Sequence, residues 1–140
     1  MIHDKYAVLL VDDSDDDRHF VRRALERHGR FAIAAEVSDG QEAIDYLAGT
    51  GPYADRTACP WPDLILLDLK MPRKNGFDVL AWIRSQHIAD VKVVVLSGSF
   101  LEQDVTQSLE MGAHGYHKKT SVRQEQLEMA SQLEQLVAGG

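Results

Sequence analysis

The chain has 140 residues, 44% of them hydrophobic and 26% charged, which is the profile of one ordinary globular domain rather than of a disordered or fibrous chain. Its formal charge of −7 argues against nucleic acid or an anionic membrane as a partner bound by electrostatics alone. No apolar run approaches the ~18 residues of a membrane span, and a single cysteine, Cys59, rules out an internal disulfide and fits a reducing, cytoplasmic compartment.

Residues 6–11, Tyr-Ala-Val-Leu-Leu-Val, form a short apolar run that Asp12-Asp13-Ser14 ends, and they read as a first strand. Ser14 is placed to cap the next helix, with Asp15, Asp16 and Asp17 in its first turn, where negative charge suits the helix dipole. Phe20, Val21, Ala24, Leu25 and His28 recur at helical spacing until Gly29. Residues 31–37 read as a second strand, Ser38-Asp39-Gly40 as a turn, and residues 41–47 as a helix with Ala43, Ile44 and Leu47 on one face. The stretch 49–62, with Pro52, Pro60 and Pro62, exceeds the ~12 residues usual for a connection, so it is expected to be functional or mobile.

Residues 64–68, Leu-Ile-Leu-Leu-Asp, read as a third strand, buried on both faces and ending in a carboxylate. Pro72 and Asn75-Gly76 then turn the chain into a helix carrying Phe77, Val79, Leu80 and Ile83. Residues 91–96 form a fourth strand closed by Ser97-Gly98-Ser99, and Leu101, Val105, Leu109 and Met111 mark a helix up to Gly112. Residues 115–118 are a short fifth strand, and Leu127, Ala130, Leu133, Leu136 and Val137 stripe a last helix. Five strands alternating with five helices predict an α/β, doubly wound parallel sheet with helices on both faces.

In such a sheet, ligands bind outside the carboxyl ends of the strands. That edge collects Asp12 and Asp13 from the first strand, Asp68 from the third, Ser97 from the fourth and Lys119 from the fifth. Taken singly, each has an ordinary explanation: an acidic helix start, a turn residue, a solvated lysine. Their arrival together at the ends of four strands points to a site. Three carboxylates in one place repel unless a cation joins them, and a hard divalent ion with oxygen ligands, Mg²⁺, is the natural remedy. A hydroxyl and an ammonium beside it suit a phosphoryl group, and a carboxylate can attack phosphorus to give an acyl phosphate. The six histidines show no H-E-x-x-H arrangement, so no zinc site is expected, and neither a G-x-x-x-x-G-K loop nor a G-x-S-x-G elbow is present.

Val8-Leu9-Leu10-Val11-Asp12-Asp13, Leu66-Leu67-Asp68-Leu69-Lys70-Met71-Pro72 with Gly76, Val95-Leu96-Ser97, and Gly112-Ala113-His114-Gly115-Tyr116-His117-Lys118-Lys119 together resemble the receiver domain of bacterial two-component response regulators. The resemblance implies the flavodoxin-like strand order 2-1-3-4-5. It also implies roles: Asp68 as phospho-acceptor from a histidine kinase, and Asp13, Asp68 and the main-chain carbonyl of Lys70 as Mg²⁺ ligands, with Asp12 ordering a metal-bound water. Ser97 and Lys119 would bind phosphoryl oxygens, and Tyr116 matches the aromatic that swings with the hydroxyl residue. Two departures stand out. Thr120 replaces the family's usual proline, whose preceding bond is cis; a cis bond before a non-proline costs roughly 2.5–4 kcal/mol, which leaves the state of this bond, and with it the placement of Lys119, open. Lys70 adds a cation beside the site and is expected to alter the phosphoryl lifetime.

The 49–62 insertion and the run Asp-Leu-Lys-Met-Pro-Arg-Lys-Asn-Gly look most like small stand-alone regulators paired with phytochrome-type kinases. The chain, read as one receiver domain over 1–140, stops soon after the last helix and leaves no room for a DNA-binding output domain. Output is therefore expected through a downstream protein, onward phosphotransfer or a homodimer. The exposed parts of residues 101–111, 115–118 and the last helix are candidate surfaces, although most of their apolar residues are expected in the core. Two other readings compete. A Mg²⁺-dependent aspartyl phosphatase would need a general acid where Lys70 stands. A receiver-like scaffold would never be phosphorylated.

Overall fold

The structure is a computed structural model that describes residues 2, 4–98 and 101–139. Ser99, counted above in the turn after the fourth strand, lies outside the described residues, as do His3 and Gly140. The elements are β1 (Tyr6–Val11), α1 (Asp15–His28), β2 (Phe31–Val37), α2 (Gly40–Ala48), β3 (Leu64–Leu67), α3 (Gly76–Ser85), β4 (Lys92–Ser97), α4 (Glu102–Glu110), β5 (Gly115–Lys118) and α5 (Arg123–Gly139).

The strands form one sheet in the order β2-β1-β3-β4-β5, with all four pairings parallel. Side chains alternate across it with period two. Leu9, Val11, Ile65, Leu67, Val93 and Val95 join Ala43, Leu47, Val79 and Leu80 of α2 and α3 on one face. Val8, Leu10, Leu64, Leu66, Val94 and Leu96 join Leu25 of α1 and Met129, Ala130 and Leu133 of α5 on the other. All four residues of β3 are buried, each such side chain worth about 1.5–3 kcal/mol of transfer free energy. The chain leaves β1 to one side for β2 and returns to the other for β3, so the crevice opens at the carboxyl ends of β1 and β3.

Three of the helix stripes differ from the expected pattern. In α1, Val21 and Ala24 turn inward, but Phe20 is 58% exposed. A 100° step per residue carries Phe20 off the face that Ala24 and Leu25 share. In α4 the only buried residue among those described is Ser108, while Leu109, and Leu101 just before the helix, are exposed. Leu127 of α5 is also exposed. These leucines were expected in the core; for Leu101 and Leu109 the periodicity does not reach it because α4 covers only the sheet's edge, beside β5.

The 49–62 connection is pinned. It holds a single 3₁₀ turn, Gly51–Tyr53. Arg56 lies 5.5 Å from the ring centres of both Tyr46 and Trp61 and donates to the carbonyls of Leu47 (3.0 Å) and Cys59 (3.2 Å). The Tyr46 hydroxyl donates to the Pro60 carbonyl at 2.5 Å. Tyr53, Cys59 and Trp61 pack onto the core on the α2–α3 face. Its length thus serves packing. No helix among the described residues is long and apolar enough to cross a membrane.

Candidate functional site

Strand pairing carries past the strand ends and so places the polar residues that follow them. The N–H of Asp12 donates to the Val37 carbonyl at 3.1 Å, that of Asp68 to Val11 at 2.9 Å, and that of Lys119 to Ser97 at 2.7 Å. The sheet thus delivers Asp12, Asp68, Ser97 and Lys119 to one edge. Asp12, Asp68 and Ser97 are buried and Asp13 is exposed. Ser97 is the last residue of β4 rather than the first of a turn. Tyr116 lies in β5 beside Val95, half-buried against the α2–α3-side core.

The Lys119 ammonium sits 2.7 Å from Asp12 Oδ2, 2.8 Å from Asp17 Oδ2 and 3.6 Å from Asp68 Oδ2. Burial works against its charge, but the hydrogen bonds to Asp12 and Asp17 and the Asp68 charge outweigh it and raise its pKa. Asp68 is pushed up to about 6, chiefly by burial, with Asp12 and Asp13 adding repulsion against the pull of Lys119 and of the Lys70 N–H. One carboxylate oxygen from each of Asp12, Asp13 and Asp68 lies within 4.8 Å of the others. This all-oxygen acidic set, two of its three carboxylates buried, fits a hard divalent cation. Lys70 is exposed. The Lys119–Thr120 bond is trans. Thr120 ties its loop to α5 instead, its hydroxyl bonding Glu125 at 2.6 Å and its carbonyl accepting from Gln126 at 2.9 Å.

Several supporting residues were not read from the sequence. Asp17 was treated only as dipole charge. Its place one turn before Val21, on the inward side of α1, was the signal available. Arg18 donates to the Asp12 carbonyl at 2.5 Å and pairs with Glu36 at 3.3 Å, bracing β1's end from behind.

The loop after Asp68 is clasped to the β2–α2 turn. Arg73 donates to both oxygens of Asp39, at 2.8 and 3.1 Å, and the Gly40 N–H donates to the Lys74 carbonyl at 2.8 Å. A Cβ on Gly40 would lie 2.3 Å from that carbonyl oxygen. Asp39 also caps α2 through the Glu42 N–H at 2.8 Å. Burial opposes its ionisation, but the Arg73 and backbone hydrogen bonds hold its pKa below the ordinary 3.8. Asp39→Ala is expected to cost about 1–2 kcal/mol at neutral pH, the cap supplying most of it because Arg73 is largely exposed. The ionic share is complete above the unfolded carboxyl pKa, 3.8, and disappears as pH falls through the lower folded value. Urea midpoints of the two proteins should therefore converge in acid; a gap that does not narrow would contradict this.

Residues 8–131 match the family described as response regulator receiver domain. Response regulator Rcp1 of Synechocystis sp. is 36% identical over 114 residues, covering 81% of this chain and 76% of its own. A crystal structure of the phosphorylated cyanobacterial phytochrome response regulator RcpA superposes with a TM-score of 0.81 at 32% identity, covering 96% of this chain and 94% of that one. The response regulator RPA3017 in red light signaling of R. palustris gives 0.82 at 29% identity, over 93% and 92%. Other curated relatives are longer: the chain spans 59% of a nitrate/nitrite response regulator protein homolog of Haemophilus influenzae, at 30% identity. The family match over most of the chain and the superposition of its five-stranded sheet agree, and the chain belongs to the response regulator receiver domains.

Proposed function

We propose that the protein accepts a phosphoryl group on Asp68 from a histidine kinase and signals through protein contacts. The observation that carries this is the meeting of three strand ends, with Asp12 and Asp68 lying 2.7 and 3.6 Å from the Lys119 ammonium. An Asp68 carboxylate oxygen forms the new P–O bond as the P–N bond to the donor histidine breaks, and the imidazole leaves with the electron pair. Lys119 and the Ser97 hydroxyl bind the oxygens of the transferring group, and such preorganised donors are where the rate is gained. Mg²⁺, held by Asp13, Asp68 and the Lys70 carbonyl with Asp12 ordering a water, would neutralise charge on those oxygens. The same groups serve hydrolysis of the acyl phosphate, so the domain assists both its own phosphorylation and its dephosphorylation. Ser97, drawn to the phosphoryl oxygen, and Tyr116 on the neighbouring strand form the switch.

A phytochrome-type kinase is the preferred donor, in a cytoplasmic setting, because RcpA and RPA3017 are described as phytochrome or red-light regulators. The Mn²⁺-bound structure of Rcp1, 32% identical with a TM-score of 0.77, supports a divalent ion at the acidic cluster. Exposed Leu101 and Leu109 support output to a downstream protein or a second copy at α4. Acetyl phosphate with Mg²⁺ should add the mass of one phosphoryl group to the wild type and none to Asp68→Asn. Unlabelled wild type, or equal labelling of both, would overturn the reading.

A further inference from the structure

We propose that Asp17 is a positioning residue: it draws Lys119 back from Asp68 in the resting protein and yields it when Asp68 carries a phosphoryl group. The inference rests on the receiver reading above. Lys119 makes bonds of 2.7 and 2.8 Å to Asp12 and Asp17 but stands 3.6 Å from Asp68, beyond hydrogen-bond length. The ammonium is therefore satisfied by α1 and β1 before it reaches the phospho-acceptor. A phosphoryl group on Asp68 brings about two negative charges and three strong acceptor oxygens into this competition.

Of the two carboxylates holding the lysine, Asp17 is the one that can let go. Its side chain is 41% exposed against 10% for Asp12, so water replaces the lost bond at small cost. Nor does the helix need that side chain. Ser14 caps α1 through the backbone N–H of Asp17, and Asp15 and Asp16 supply first-turn charge. The Asp17 carboxylate has Lys119 as its hydrogen-bond partner.

The exchange also has a mechanical consequence. Asp17, Phe20, Lys119, Thr120 and Met129 are among the residues lining a cavity of about 230 Å³ between α1 and the β5–α5 loop. The Asp17–Lys119 pair ties these walls together beside the site. Departure of the lysine unties the first turn of α1 from that loop, so the phosphoryl state is read at a groove as well as at Ser97 and Tyr116.

The full chain, with Asp17→Asn and Asp17→Glu, is treated with acetyl phosphate and Mg²⁺, and acyl phosphate is followed by mass. Asp17→Asn should accumulate it about two- to fivefold faster than wild type, the range for a partly exposed ion pair, and Asp17→Glu should restore the wild-type rate. A merely structural lesion would slow the reaction instead. Amide chemical shifts of residues 15–17 should move on phosphorylation of the wild type and stay still in Asp17→Asn. Wild type that labels normally beside an Asp17→Asn protein that is no faster would overturn the role of Asp17 alone. Wild type that takes no phosphoryl group would remove the receiver reading and this inference with it.

Discussion

Replacing Lys119 with methionine is expected to lower stability by about 2–3 kcal/mol in metal-free buffer and to make the protein far more responsive to Mg²⁺ than the wild type. The ammonium faces Asp12, Asp17 and Asp68 at 2.7, 2.8 and 3.6 Å, and Asp12 and Asp68 are buried. Breaking a buried ion pair from one side costs about 3–5 kcal/mol; the lower figure here allows for the exposure of Asp17 and for proton uptake by the orphaned carboxylates. Asp68, already pushed up to about 6, loses the main influence holding it down and rises further. A divalent ion offsets this by mass action, about 2.7 kcal/mol at a concentration 100 times its Kd. Calorimetric unfolding with EDTA and with Mg²⁺ provides the check. An equal Mg²⁺ shift in Lys119→Met and wild type would show that Lys119 is not the charge balancing this cluster. Phosphoryl incorporation should drop by about 100-fold, the loss typical of one preorganised donor.

Gly76→Ala is expected to cost about 3 kcal/mol or more and to displace the loop that carries Asp68. A Cβ at this position would lie 2.5 Å from the Asp68 carbonyl oxygen and 2.9 Å from the Leu69 Cα. Both are backbone atoms, so no side-chain rotation relieves the overlap, and the cost falls at or above the upper end of ordinary overpacking, about 3 kcal/mol. The residue is fixed from both sides. Its N–H donates to the Leu69 carbonyl at 3.0 Å, and Asn75 before it closes a capping box with Asp78 through bonds of 2.9 and 3.0 Å. The loop therefore has to open for the methyl group to fit, and with it the path from Asp68 to the Lys70 carbonyl. A lower denaturation midpoint together with weaker Mg²⁺ binding is the expected pair of results. Loss of stability with unchanged Mg²⁺ affinity would mean that the loop absorbs the methyl group away from the site.

Much of this protein was legible in its residues because buried parallel strands leave a plain trace. Each is a short apolar run, and the polar residue that ends it is carried to the sheet edge by the strand pairing. Asp12, Asp68 and Ser97 were found in that way, and the bounds of β1 and β2 coincide with the runs at 6–11 and 31–37; β5, the half-buried Gly-Tyr-His-Lys that leads to Lys119, has the bounds 115–118 read for it but carries no apolar run. The strand order came from the family resemblance and agrees with the sheet. Only the packed chain decided which of three aspartates in α1 meets Lys119, that Arg73 clasps Asp39, that Arg56 pins the 49–62 connection, and that the leucines around α4 face outward. Periodicity sets which residues of a helix share a face. How that face is turned toward the sheet depends on contacts between residues far apart in sequence, and no local pattern encodes it.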